Sequence, residues 1–137
     1  MSELDDLNAR VITEFRANNG LVGGNFKGSN LLLLHTIGAR SGISRVNPLA
    51  YLKVDESLII IASFAGSPSN PPWFHNLKST PEVDVEVGKE MFKARATIVK
   101  EPERTALYSK VEEVMPVFTQ YQAKTNRVIP VISLTKI

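Results

Sequence analysis

The sequence predicts a mainly β chain with helices (α+β), built on an antiparallel split β-barrel, and three observations carry that reading. Apolar runs of strand length recur along most of the chain. Mostly adjacent runs are joined by short turns, which indicates antiparallel pairing. The helical periodicities fall between groups of strands, which favours a small closed or split barrel over a βαβ sheet. About six strands and three helices are expected, in one domain covering residues 1–137.

The first helix is expected near residues 3–18. Ser2 with Asp5 resembles a capping box, Leu4, Leu7, Val11, Ile12 and Phe15 recur at helical spacing, and Asn18-Asn19-Gly20 is a stop signal. Its apolar stripe is suited to docking on the barrel. The stretch Gly20–Ser29 is glycine-rich but lacks the spacing and the Gly-Lys-Ser/Thr ending of a phosphate-binding P-loop, so it reads as a connection.

Two strands, Leu31–Ile37 and Val46–Val54, then enclose a loop with two glycines, two serines and two arginines. Gly38 and Gly42 let the backbone bend so that N–H groups can converge on an oxyanion, and Arg40 and Arg45 add guanidinium forks suited to phosphate or carboxylate. The run Leu58–Ala62 has no polar alternation and reads as a strand buried on both faces. Prolines and serines between Gly66 and Pro72 set an irregular loop leading into a short helix at Trp73–Lys78.

Strict alternation of Val83, Val85 and Val87 with acidic neighbours marks a half-exposed strand, and Gly88-Lys89 turns it into a partner, Met91–Val99. Pro102 can open a helix whose stripe is Ala106, Leu107, Val111, Val114 and Phe118, with Pro116 as a kink or break. The closing strand, Arg127–Leu134, contains Pro130 and is therefore expected at an edge or bulge.

Composition removes several function classes. A net charge of +2 is too small for a general polyanion-binding surface, which argues against nucleic acid. The absence of cysteine removes disulfides, thiolate nucleophiles and cysteine-ligated metal, and fits a reducing, cytoplasmic setting. The start Met-Ser-Glu-Leu-Asp-Asp is acidic where a signal peptide is basic, and no apolar run approaches the ~20 residues of a membrane span. His35 and His75 stand far apart with no zinc-like spacing around them, and no Gly-x-Ser-x-Gly elbow is present. A chain so poor in catalytic groups can still be an enzyme when a cofactor carries the chemistry and the protein binds, orients and shields it.

Several blocks carry a resemblance. They are Gly38-Ala-Arg-Ser-Gly-Ile-Ser-Arg-Val-Asn-Pro-Leu-Ala-Tyr51, Ala62-Ser63, Asn70-Pro-Pro-Trp-Phe-His-Asn-Leu77, Pro81-Glu-Val83, Tyr121-Gln122 and Ile129-Pro130. In this order, over about three quarters of the chain, they resemble the deazaflavin-dependent nitroreductase family, whose members bind coenzyme F420 on a split β-barrel related to flavin-binding reductases. The resemblance implies an F420-dependent oxidoreductase that passes hydride to an electron-poor acceptor such as an enone, lactone, quinone or nitro compound. Flavin mononucleotide (FMN) is the second candidate cofactor, and a lipid or haem-like carrier on the same barrel is the non-catalytic alternative. Some relatives' N-terminal segments also leave a peripheral membrane contact open, against which the acidic start of this chain argues.

By the same resemblance, the coenzyme's phosphate and acidic tail fall to the Gly38–Arg45 loop, with Gly38, Ala39, Arg40, Ser41, Gly42 and Arg45 as contacts. Asn47, Pro48, Ser63, Pro72 and Trp73 line the ring. Met115, Phe118 and Tyr121 form the substrate pocket, where the Tyr121 phenol is placed to donate a hydrogen bond or the proton that completes reduction. Met115 and Phe118 stand where the nitroimidazole-reducing members have tyrosine, which favours apolar acceptors. Phe64 stands where many relatives have lysine, a departure that bears on how the tail is held. The resemblance leaves monomer or homodimer undecided.

Overall fold

The computed structural model describes residues 3–18 and 30–137, with the side chains of residues 3–6 outside that description. The glycine-rich connection and Ser2 of the expected cap therefore lie outside the described residues. In chain order the elements are α1 (Glu3–Ala17), β1 (Leu31–Ile37), β2 (Ser44–Ala50), β3 (Leu52–Val54), β4 (Ser57–Ile61), a 3-10 turn (Phe64–Gly66), α2 (Pro72–Ser79), β5 (Glu82–Val87), β6 (Glu90–Ile98), α3 (Glu103–Val114), α4 (Val117–Ala123) and β7 (Val131–Lys136).

All seven strands form one antiparallel sheet in the order β2-β1-β5-β6-β7-β4-β3. The two edge strands, β2 and β3, are consecutive in the chain and separated by Tyr51 alone. A sheet whose opposite edges are joined by one residue has to curl until they meet, and that is the split barrel expected from sequence.

Side-chain alternation divides the apolar residues between the barrel's interior and its outside. Leu32 and Leu34 of β1, Leu58 and Ile60 of β4, Val83 and Val85 of β5, and Ile132 and Leu134 of β7 fill the interior, where α2 contributes Trp73, Phe74 and Leu77. Leu31 and Leu33 point the other way, onto Val11 and Phe15 of α1. Ile59 and Ile61 do the same under α3 and α4, meeting Tyr108, Val111 and Phe118. The unbroken apolar runs in β1 and β4 follow from this, because each strand is covered on both faces. Truncating one such leucine or isoleucine to alanine removes about 2–5 kcal/mol.

Polar contacts then fix α1. Glu86 of β5 accepts hydrogen bonds from Arg16 Nη2 (2.9 Å) and Nε (3.3 Å), and lies 2.5 Å from His35 Nε2. The hydrogen bond from Arg16, followed by that from His35, lowers the Glu86 pKa despite its partial burial.

Four sequence expectations change. The expected strand at Val46–Val54 starts earlier and breaks at Tyr51, where the chain crosses from one sheet edge to the other. The stripe drawn through Pro116 does not continue, because Pro116 caps a second helix and resets its phase. Val111 and Phe118 are buried as expected, whereas Val114 is 62% exposed and Tyr108 takes its place in the core. The last strand begins at Val131 and lies between β6 and β4, in mid-sheet. Pro130 precedes the ladder, so its missing N–H costs no strand bond, and its carbonyl accepts from Ala62 N–H (3.0 Å).

Candidate functional site

The loop between β1 and β2 is closed mostly on itself. Gly38 N–H donates to the Ile43 carbonyl (2.8 Å), Gly42 N–H to the Gly38 carbonyl (2.9 Å), and Ile43 N–H to Ser41 Oγ (3.1 Å). Ala39 N–H is taken by Asn76 Oδ1 of α2 (2.9 Å). Gly42 has φ +69°, in the left-handed region that glycine adopts without strain. The expected convergence of loop amides on an anion is therefore largely spent on holding the loop. What remains unpartnered are the amides of Arg40 and Ser41 and the two guanidinium groups.

This last point separates the arginines. Of the seven in the chain, Arg16, Arg95, Arg104 and Arg127 are engaged by protein acceptors. Arg10, Arg40 and Arg45 make no hydrogen bond or ion pair among the described residues, and two of these three border the same cleft.

The cleft has a volume of about 960 Å³. One wall is α1, through Asn8, Ala9 and Ile12; a second is Gly38–Ser41 with Ser44–Asn47; the third is Asn70, Pro72, Trp73, His75 and Asn76. No carboxylate of the described residues lines it, so among these residues its cations face the space without a counter-charge. Pro72 stands at the first position of α2, which proline favours, and directs the next residue into the barrel. Trp73 is 5% exposed and belongs to the interior core, yet one edge reaches the cleft. Its indole N–H has no acceptor among the described residues and is not sealed from solvent.

The register also exposes main chain. The Gly38–Ile43 bond and the Tyr51 N–H to Asn30 carbonyl bond (3.0 Å) make Thr36–Arg45 and Leu34–Asn47 the hydrogen-bonded pairs of the hairpin. Ser44 and Val46, in the pairs between, turn their N–H and C=O groups to the free edge of β2. Both border the cleft. An edge strand beside two free cations can read a planar heterocycle's amide-like rim and an attached anion together.

Of the residues expected at a coenzyme, Gly38, Ala39, Arg40, Ser41, Arg45, Asn47, Pro72 and Trp73 border this cleft. Gly42 shapes the loop from behind. Pro48 lies opposite Leu33, on the face that meets α1, and Ser63 is buried with its carbonyl accepting from Arg127 Nη2 (2.7 Å); neither borders the cleft. Met115, Phe118 and Tyr121 come together, but under α3 and α4, with Tyr121 edge-on to Phe118 at 5.5 Å. None of the three borders the cleft. The turn at Phe64–Gly66 stands in contact with them, since a Cβ on Gly66 would come within 2.8 Å of the Tyr121 carbonyl.

Two residues that sequence reasoning did not single out hold the site. Asn76 joins α2 to the arginine loop, and its Nδ2 donates to Thr36 Oγ1 (3.1 Å). Arg127 clamps the 62–70 segment by donating to the carbonyls of Ala62 (3.2 Å), Ser63 and Ser67 (2.9 Å) and to Asn70 Oδ1 (2.8 Å). That segment carries Phe64 and Ala65 at φ +47° and +54°, a conformation that persists when its surroundings over-determine it. Asn76 falls inside the Asn70–Leu77 block but nothing in the sequence gives its role, and no sequence signal marks Arg127, because each acts through partners brought close only by the fold.

Comparison with known proteins identifies the family and the fold. The family model for F420H(2)-dependent quinone reductase matches residues 8–136. An F420H(2)-dependent quinone reductase of Mycobacterium tuberculosis is 37% identical over 126 residues, covering 89% of this chain and 85% of that protein. The solved F420-H2 dependent reductase FDR-A superposes with a TM-score of 0.70 at 32% identity, over 77% of this chain and 93% of that one. A second structure, described as a domain-swapped dimer, gives 0.72 at 30% identity, over 97% and 99%. HutZ, the heme storage protein of Vibrio cholerae, gives 0.60 at 15% identity, over 92% and 87%, a likeness of fold alone. No helix among the described residues is long and apolar enough to cross a membrane. The chain belongs to the F420H(2)-dependent quinone reductase family.

Proposed function

We propose that this chain binds reduced coenzyme F420 in the cleft between α1, β2 and α2 and delivers its hydride to a quinone-type acceptor. The observation that carries the reading is the pair of guanidinium groups, Arg40 and Arg45, which have no partner among the described residues and face a cleft with an apolar corner at Pro72-Trp73 and no carboxylate in its described lining. Those residues fit the coenzyme's chemistry: a phosphate and carboxylates for the cations, a flat heterocycle for the apolar corner and the free edge of β2.

When bound, the deazaflavin supplies the hydride, and the chain's own groups hold, orient and shield it. Arg40 and Arg45 anchor the anionic tail, with the Arg40 and Ser41 amides beside them. Pro72 and the edge of Trp73 exclude water from one side of the ring, while Ile12 and Ala9 of α1 do so from the facing wall. The acceptor is assigned to the Asn70 end, and Tyr121, packed against the Phe64–Gly66 turn, donates a proton there only if that turn opens or a second copy brings its phenol to the cleft.

The test is a titration with oxidised F420, followed by Trp73 fluorescence and coenzyme absorbance, with FMN in a parallel arm. Saturable binding of F420 that is weakened by salt supports the reading. No binding, or preference for FMN, overturns it. Anaerobic oxidation of the reduced coenzyme by a soluble quinone then tests the acceptor separately.

A further inference from the structure

We propose that Asn76 is a positioning residue that sets the spacing between the anion anchor and the apolar corner of the cleft. Its single amide spans two elements. Oδ1 accepts from the Ala39 amide at the root of the arginine loop, and Nδ2 donates to Thr36 Oγ1 in β1. Asn76 sits on α2, one turn after Trp73, so the helix that presents the apolar corner also bolts down the loop that carries Arg40. The amide is 8% exposed and Thr36 2%, so water does not compete freely for these bonds. The loop's remaining hydrogen bonds are internal to it, and the Ala39 bond is its one side-chain tie to another element among the described residues.

The two bonds also fix the amide's orientation. The donor-only Ala39 N–H selects Oδ1, and the Thr36 hydroxyl holds the Nδ2 end; with that hydroxyl removed, a buried amide donor loses its acceptor and the side chain is held at one end only. Thr36 thus controls the anchor loop through Asn76 without bordering the cleft itself. For its functional consequence the proposal rests on the coenzyme reading above; for its structural content it does not.

Because Asn76 borders the cleft, replacing it alone cannot separate positioning from direct contact. Thr36 can. Thr36→Val should raise the Kd for oxidised F420 about tenfold, while Thr36→Ser, which restores the acceptor, stays within about twofold of wild type. Turnover at saturating coenzyme should be the same in all three. In parallel, hydrogen exchange at the Ala39 amide should be slow in wild type and Thr36→Ser, and at least about tenfold faster in Thr36→Val and in Asn76→Ala. Wild-type affinity in Thr36→Val, or a loss that Thr36→Ser does not restore, overturns the proposal. Failure of the wild-type chain to bind F420 would sink the coenzyme reading instead, and the Ala39 exchange rates then decide the positioning role by themselves: equal rates in all four proteins reject it.

Discussion

Arg127 and Arg45 carry the same side chain into opposite circumstances. Arg127 is half-buried and donates four hydrogen bonds to the 62–70 segment. Arg45 is exposed, ends the loop that faces the cleft, and finds no acceptor among the described residues. Both segments hold irregular backbone beside the cleft, but one is stabilised from within and the other has its charge left over. A guanidinium whose donors are all taken belongs to the fold; one whose donors are all open, among others of its kind, belongs to a ligand. The comparison predicts that the two arginines fail in different assays.

Arg127→Ala should give the largest effect, and on stability. Three carbonyls and an amide oxygen lose a shared donor, and the left-handed pair Phe64-Ala65 loses what holds it, for a loss of about 3–5 kcal/mol. Thermal unfolding should shift down by about 10 °C or more. Arg127→Lys keeps the charge but not the fork and should recover less than half. A variant as stable as wild type would erase the contrast on its structural side.

Arg45→Ala should do the reverse. Unfolding should move by less than about 0.5 kcal/mol, because no protein partner is lost. Affinity for F420 should fall by about 1.5–3 kcal/mol, and the remaining binding should depend less on salt. Unchanged affinity would move the anionic tail off this loop. A stability loss as large as that of Arg127→Ala would show that the loop arginine is structural after all.

That contrast also marks how far sequence could see. The split barrel was legible because strand periodicity and turn residues are local, and β1 and β4 announced their two-sided burial in unbroken leucines and isoleucines. The arginine loop and the Pro72-Trp73 corner were legible from residue chemistry and resemblance. What escaped was long-range. The Asn76–Ala39 bond joins residues 37 apart and the Arg127–Ser63 bond residues 64 apart. The placement of β7 in mid-sheet depends on pairing with β4 and β6, which Pro130 does not disturb once it stands just outside the ladder.

Tyr108 sharpens the structural half of the comparison through pH. Its phenol donates to the Phe118 carbonyl at 2.6 Å in the core under α3 and α4, and burial raises its pKa to about 12. Since the folded value lies above the unfolded one near 10, the folded state holds this proton more tightly. The stabilisation is fully present below pH 10 and is lost as pH rises toward 12, up to about 2–3 kcal/mol. Burial raises the Tyr51 phenol too, so the diagnostic is a phenolate component near pH 12 that Tyr108→Phe removes. A titration that Tyr108→Phe leaves without any lost component near pH 12 would mean that this core admits water.

The smallest effect is expected at Tyr121, and it tests where the cleft ends. The phenol belongs to the α4 side, packed edge-on against Phe118 and separated from the cleft lining by the Phe64–Gly66 turn that Arg127 holds in place. With that turn fixed as described, Tyr121→Phe preserves the packing and removes a hydroxyl that does not border the cleft. Coenzyme affinity should be unchanged, and quinone turnover at saturating coenzyme should fall by less than about threefold, the size of an orienting contact at most. A loss of about 10²–10⁴-fold in turnover, with affinity intact, would instead identify Tyr121 as the general acid. The turn would then have to open, or a second copy bring its α4 to the cleft, for the phenol to reach the acceptor. Measuring the same variant across protein concentration separates those two routes, because only the second makes turnover per chain fall on dilution.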